Sequence, residues 1–218
     1  MRFSLRKTEN IWVLGAFLCA VGLLSALLLG AVNEVTKKPI AAAKERALAK
    51  NLKLLVPDFD TVTKGDRKLA LANGSEAELY YAQKAGKLVA VITKAATKQG
   101  YAGKIEMLVA LTPQSEVLQV MVTEQKETPG LGADVCTRKF VKTIHNFTEP
   151  TPEGLPPNAL LDQYAGKSAD GNDWRVSKDG GNFDFKTGAT VTSRALTALV
   201  GDVVTSFAAS RKTLLEGF

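Results

Sequence analysis

Ile105-Glu106-Met107-Leu108-Val109-Ala110-Leu111, then Pro113-Gln114-Ser115, then Leu118-Gln119-Val120-Met121-Val122 is the stretch that decides the fold class of this chain. Ile105, Met107, Val109 and Leu111 fall on alternate positions, the two-residue period of a strand with one face toward a core. Pro113-Gln114-Ser115 turns the chain, and Leu118, Val120 and Val122 alternate on the way back. Upstream, Leu79-Tyr80-Tyr81-Ala82 faces Leu88-Val89-Ala90-Val91-Ile92 across Lys84-Ala85-Gly86-Lys87, a second hairpin signal.

Helices bracket these strands. Glu34 to Val56 carries Ala41, Ala42, Ala43, Ala47, Leu48, Leu52 and Leu55 at helical spacing and stops at Pro57. A loose stretch separates it from the first hairpin. Between Pro150 and Pro157 the chain is proline-rich and reads as a surface connection. Beyond it, Ala195, Leu196, Leu199, Val200, Val203, Val204 and Phe207 form the apolar stripe of a terminal helix. Hairpins flanked by helices at both ends predict an α+β fold.

Farther out lies an anchor. No charge occurs from Asn10 to Asn33, and Ile11 to Val32 reads IWVLGAFLCAVGLLSALLLGAV. As a helix this run is about 33 Å long, against a hydrocarbon core of roughly 30 Å. Trp12 sits near one end, where an indole favours the headgroup region. A cleaved signal peptide has a shorter apolar core and a small-residue cleavage site that is lacking here, so a retained span is expected. Arg2, Arg6 and Lys7 flank one end, and Lys37, Lys38, Lys44 and Arg46 flank the other. Flanking charge therefore does not orient the span.

Composition excludes several classes. The net charge of +6 is scattered among acids, without the clustered basic face that nucleic-acid binding requires. Cys19 in the apolar run and Cys136 in the soluble part cannot pair, and no CxxC motif offers a zinc or iron–sulfur site. His145 is the one histidine, too few for a metal centre. No metal ligands and no GxGxxG fingerprint are expected.

Two segments carry chemistry. In Asp184-Phe185-Lys186-Thr187-Gly188-Ala189-Thr190-Val191-Thr192-Ser193, Gly188 and Ala189 leave the backbone nearly bare beside several hydroxyls. The helix start that follows offers unpaired N–H groups suited to a phosphate. Read alone, the same residues also suit a strand-to-helix turn capped by Thr192 or Ser193. In Glu127-Thr128-Pro129-Gly130-Leu131-Gly132, two glycines around a leucine allow a ring to approach the backbone, although Pro-Gly is equally a plain turn.

Together these segments resemble the hallmarks of FMN-binding domains. Asp184-x-x-Thr187-Gly188-Ala189-Thr190 looks like their flavinylation signature, and the segment from Glu127 to Gly132 looks like their second motif. Tyr101-Ala102-Gly103 before a strand matches as well. The resemblance covers roughly residues 80–210. With the single N-terminal helix it extends to the G-subunit family of Rnf ion-translocating electron-transport complexes. The C-subunit family of sodium-translocating NADH:quinone reductases is the near relative and the alternative. A membrane-anchored scaffold without redox role and a secreted flavoenzyme are the rivals from other classes.

The resemblance implies FMN joined through its phosphate to Thr190. Asp184 and Thr187 would be recognised by a separate flavin transferase using FAD and magnesium. A threonine hydroxyl is a poor nucleophile, and no histidine stands beside it in sequence to activate it. Thr128, Pro129, Gly130, Leu131 and Gly132 would lie along the ring, and Gly188 and Ala189 would let it pack on the backbone. The chain would relay electrons between neighbouring subunits of a complex linking ferredoxin and NAD to ion movement. Residues 1–10 would be cytoplasmic, 11–33 would span the inner membrane, 34–78 would form a helical connector with the start of the soluble domain, and 79–218 would form an FMN-binding domain outside the cytoplasm.

Overall fold

The computed structural model describes residues 11–140 and 154–216. His145 and residues 150–153 of the proline-rich connection lie outside the described residues. The chain divides into two compact units, residues 1–49 and 50–218. Helix α1, Ile11–Leu55, begins in the first and ends in the second.

α1 is one unbroken helix where the sequence predicts a span followed by a second helix. Nothing between Val32 and Glu34 stops a helix, and Pro39 is accommodated inside it. Thr36 donates its hydroxyl to the Val32 carbonyl at 2.8 Å, and Lys37 pairs with Glu34 one turn earlier. The end comes at Leu55 because Pro57 disfavours helical backbone in the residue before it. The helix is long and apolar enough to cross a membrane, and Ile11, Trp12, Phe17 and Leu18 on it are all exposed.

The second unit is built on an antiparallel meander in the order β1-β2-β3-β4-β5. The strands are β1 (Thr61–Ala70), β2 (Glu76–Lys84), β3 (Lys87–Gly100), β4 (Gly103–Leu111) and β5 (Val117–Glu124). The hairpin expected across Lys84–Lys87 is β2–β3, with Leu79 opposite Thr93 and Ala82 opposite Ala90. The stretch expected to be loose contains β1, an edge strand in which only Leu69 is buried. An edge strand bearing Lys64, Asp66, Arg67 and Lys68 shows no apolar alternation, and its charges guard the open edge.

A bulge between Ala110 and Leu111 sets Leu111 opposite Val117. Val117 thereby enters the core, and Leu118, expected there from alternation, is only half-buried. An extra residue shifts a period-two pattern to the opposite face.

Past β5 come α2 (Gly132–Cys136), α3 (Ala159–Asp162), a 3-10 turn at Ser177–Asp179 and α4 (Thr190–Leu214). Leu196, Leu199, Val200, Val203 and Phe207 of α4 join Leu79, Val91, Met107 and Val109 of the sheet in one core cluster. The stripe expected on the terminal helix is therefore its buried face. Truncating one such side chain, Phe207→Ala for instance, costs about 3–5 kcal/mol. Arg138 closes part of the β5 edge, donating to the Val120 carbonyl at 2.9 Å and to Asp162 at 2.7 Å.

Candidate functional site

A cavity of about 580 Å³ opens where the β3–β4 turn, the loop after β5 and the start of α4 converge. That volume suits a ligand of cofactor size. Tyr101 contributes from the turn, and Thr128, Leu131 and Gly132 from the loop. Gly188, Ala189, Thr190 and Val191 contribute from the turn into α4. Tyr101 is 74% exposed, and Leu131 and Val191 are each 44% exposed. From residue 50 onward these are the only exposed large apolar side chains among the described residues. All three line this cavity, so apolar surface is left uncovered at one place.

Glu127 holds the three segments together. Its carboxylate is 5% exposed, and one oxygen accepts from the Ala102 N–H at 3.0 Å while the other accepts from Thr192 Oγ1 at 2.7 Å. Among the described residues no basic side chain pairs with it. A buried carboxylate without a cation is costly, and two hydrogen bonds plus the positive end of a 25-residue helix offset that cost. Gly132 makes room for it, since a Cβ there would stand 2.5 Å from Glu127 Oε2 and 2.6 Å from Thr192 Oγ1. Glu127 also acts on its surroundings. Burial, with this carboxylate nearby, pushes the Cys136 thiol up to about 12.

The α4 start differs from the capped turn that the sequence allows. The helix begins at Thr190, its N-cap is Ala189, and no side chain caps it directly. Thr192 and Ser193 lie inside the first turn. Thr192 serves Glu127, while Ser193 donates to the Ala189 carbonyl at 3.0 Å and accepts from the Lys186 N–H at 3.3 Å. Thr190 is thus the first helical residue, half-buried in the cavity wall, beside N–H groups that have no intrahelical acceptor. Gly188 has φ of +84°, and a Cβ on it would stand 3.2 Å from Leu131 Cδ2. The bare backbone of one motif therefore abuts the leucine of the other.

A latch joins the two motifs outside the cavity. Lys186 donates to the Gly130 carbonyl at 2.8 Å and to Asp134 Oδ2 at 2.7 Å. The Lys186 ammonium holds the Asp134 carboxyl below its ordinary value. Asn158 supports the same region, its amide donating to the carbonyls of Asp134, Val135 and Thr137.

Most of the residues singled out in the sequence meet here. Thr128, Leu131, Gly132, Gly188, Ala189 and Thr190 line the cavity, while Pro129 and Gly130 lie beside it. Ala189 is less bare than expected, because it also belongs to the core cluster. Asp184 and Thr187 are exposed and do not line the cavity. Asp184 is held by its backbone alone, its N–H donating to Gln163 Oε1 at 2.7 Å. Sequence reasoning missed Glu127 as a structural hub, Lys186 as a latch, and Val191 and Lys178 as wall residues. A carboxylate inside an otherwise apolar, glycine-rich loop was the available signal for Glu127. Lys178 had none.

Residues 100–205 match the FMN-binding domain family. The G subunit of the ion-translocating oxidoreductase complex of Shewanella baltica is 33% identical over 91% of this chain and 91% of its own length. The protein of that description from Pseudomonas aeruginosa is 35% identical over 95% of this chain and 91% of its own length. For Cereibacter sphaeroides the figures are 32%, 93% and 87%.

Proposed function

This chain belongs to the G-subunit family of ion-translocating oxidoreductase complexes and carries its FMN-binding domain, and on that premise we propose that it is the complex's membrane-anchored electron carrier, with FMN esterified to Thr190. The observation that carries this reading is the cavity itself. Its three uncovered apolar side chains line the same cavity as Thr190, the first residue of a long helix.

The residues present fit FMN. Tyr101, Leu131 and Val191 offer apolar surface to a planar ring, and Gly188 leaves the backbone open beside Leu131. Thr190 Oγ1 would hold the phosphate, with the N–H groups of the first turn and the helix dipole favouring its negative charge. When bound, FMN supplies reversible electron uptake, while the protein supplies position and electrostatics. Glu127 keeps the hairpin tip, the loop and the helix start in register around it.

Thr190 needs help to become an ester. The Glu127 carboxylate in the cavity wall is engaged by Ala102 and Thr192, and among the described residues no side-chain base is hydrogen-bonded to the Thr190 hydroxyl. A separate flavin transferase acting from FAD and magnesium supplies the activation. Asp184 and Thr187, exposed on the same turn, are the residues for it to read. α1 anchors the chain in the inner membrane, with the flavin domain outside the cytoplasm and neighbouring subunits as electron donor and acceptor.

The test is a denaturing gel of the membrane-expressed chain under ultraviolet light. The native chain gives a fluorescent band, and Thr190→Val gives an equally abundant dark one. Peptide mass spectrometry places the FMN increment on the fragment containing Thr190. Fluorescence that persists in Thr190→Val overturns the assignment. A C-terminal reporter that reads as cytoplasmic overturns the topology.

A further inference from the structure

We propose that Lys178 is the charge-compensating residue of the flavin cavity, placing a cation where negative charge arrives when the bound ring is reduced. The proposal rests on the FMN reading above. Among the described residues, Lys178 is the only basic side chain lining the cavity, and Glu127 is the only acidic one. Glu127 spends both oxygens on protein donors, whereas the ammonium of Lys178 has no hydrogen bond or ion pair among the described residues. It lies over the Phe185 ring, whose centroid is 5.9 Å away, and its charge also acts on the neighbouring Asp179 carboxylate. Phe185 belongs to the turn that leads to Thr190, so the cation reaches across the attachment motif.

The backbone beneath Lys178 is fixed. Ser177–Asp179 is a 3-10 turn in which the Ser177 N–H donates to the Phe183 carbonyl at 2.7 Å and Asp179 N–H to that of Val176 at 2.8 Å. Asp179 takes a two-pronged hydrogen bond from Arg194, both contacts at 2.5 Å, which fastens the turn to α4. Gly181 closes the loop on itself, since a Cβ there would stand 2.0 Å from the Arg175 carbonyl oxygen. Asp179 is thus held by hydrogen bonds from Arg194 on the helix, with Lys178 acting on it only through charge, and Lys178 lines the cavity.

The chemistry this site requires is charge balance. Two electrons from the electrode and one proton from solvent leave one net negative charge on the ring at neutral pH. The phosphate is already served by the α4 N-terminus, and Glu127 opposes a further negative charge. An ammonium in the wall favours the reduced state and raises the midpoint potential, a known means of tuning a flavin.

Spectroelectrochemical titration of the purified, flavin-loaded full-length chain tests this, with flavin per chain and a thermal melt measured beside it. Lys178→Gln is expected to load FMN fully and melt like the native chain. Its midpoint should fall by about 30 mV or more, a tenfold change in the reduced-to-oxidised ratio of a two-electron couple. Lys178→Glu should fall further, and Lys178→Arg should stay near the native value. Equal midpoints in the three loaded variants overturn the proposal. A folded Lys178→Gln chain without flavin also overturns it, because Lys178 would then serve attachment. If the native chain carries no flavin, the FMN reading fails, a result distinct from both.

Discussion

Thr192 donates its hydroxyl proton to Glu127 across 65 residues of sequence, Oγ1 to Oε2 at 2.7 Å, and both groups are buried. This bond joins the two segments that sequence comparison can only lay side by side. It gives the second threonine of the Thr190-Val191-Thr192 run a structural partner, while the first, Thr190, lines the cavity.

Thr192→Val should therefore destabilise the domain by about 1.5–3 kcal/mol, the range for a hydrogen bond to a charged group. Covalent flavin should remain near one per chain, and Thr192→Ser should recover the stability. Denaturant melts beside in-gel fluorescence measure both. Loss of fluorescence in a folded Thr192→Val chain would move the attachment site.

Gly132→Ala should be more damaging than its size suggests. The added methyl would stand within 2.6 Å of both Glu127 Oε2 and Thr192 Oγ1, where no side chain can shift without breaking their bond. A cost of about 1–3 kcal/mol is expected from overpacking, together with reduced flavin loading. A native melting temperature and full loading would show that the contact is slack.

Asp184→Ala separates recognition from folding. The Asp184 side chain is exposed, and the segment is held by its backbone N–H and carbonyl on Gln163. Stability should change by less than about 0.5 kcal/mol. Flavin content should nevertheless fall under the proposed role of Asp184 in recognition by a transferase. Full loading of the Ala variant would remove Asp184 from that role.

The latch between the motifs has a pH signature. Lys186 lowers the folded-state value of Asp134 below its ordinary 3.8, so the contact is present at neutral pH and lost as pH falls through that lowered value. In Lys186→Met the Asp134 carboxyl should titrate closer to 3.8, as followed by carboxyl NMR. An unchanged titration curve would mean that the latch is open in solution.

Cys136 should resist alkylation. Its thiol is 2% exposed and is pushed up to about 12 by burial and the nearby Glu127 charge, so at about pH 8 almost none is thiolate. Peptide mapping after iodoacetamide should find Cys136 unmodified in the folded chain and modified after denaturation. Rapid labelling of the folded chain would contradict the packing of α2.

The hairpins were legible because their apolar residues alternate with a fixed period, and the terminal helix because its stripe repeats every three to four residues. β1 was hidden for the opposite reason. An edge strand with one neighbour and one buried side chain carries its pairing in the backbone, which leaves no mark on composition. Leu118 was misplaced because a single bulge inverts the inward face, and a bulge is set by the partner strand.

The sequence by itself determined the anchor run, the α+β class and the two motifs with their order and spacing, since each of these rests on local pattern. Tertiary structure alone decided that α1 continues from the apolar run to Leu55 and that α4 begins at Thr190. It alone revealed that Glu127 and Lys186, each inside one motif, bind the other motif, and that Lys178 stands in the same cavity wall. Those roles depend on which atoms meet across a cavity, and contacts between residues far apart in sequence form only when the chain packs.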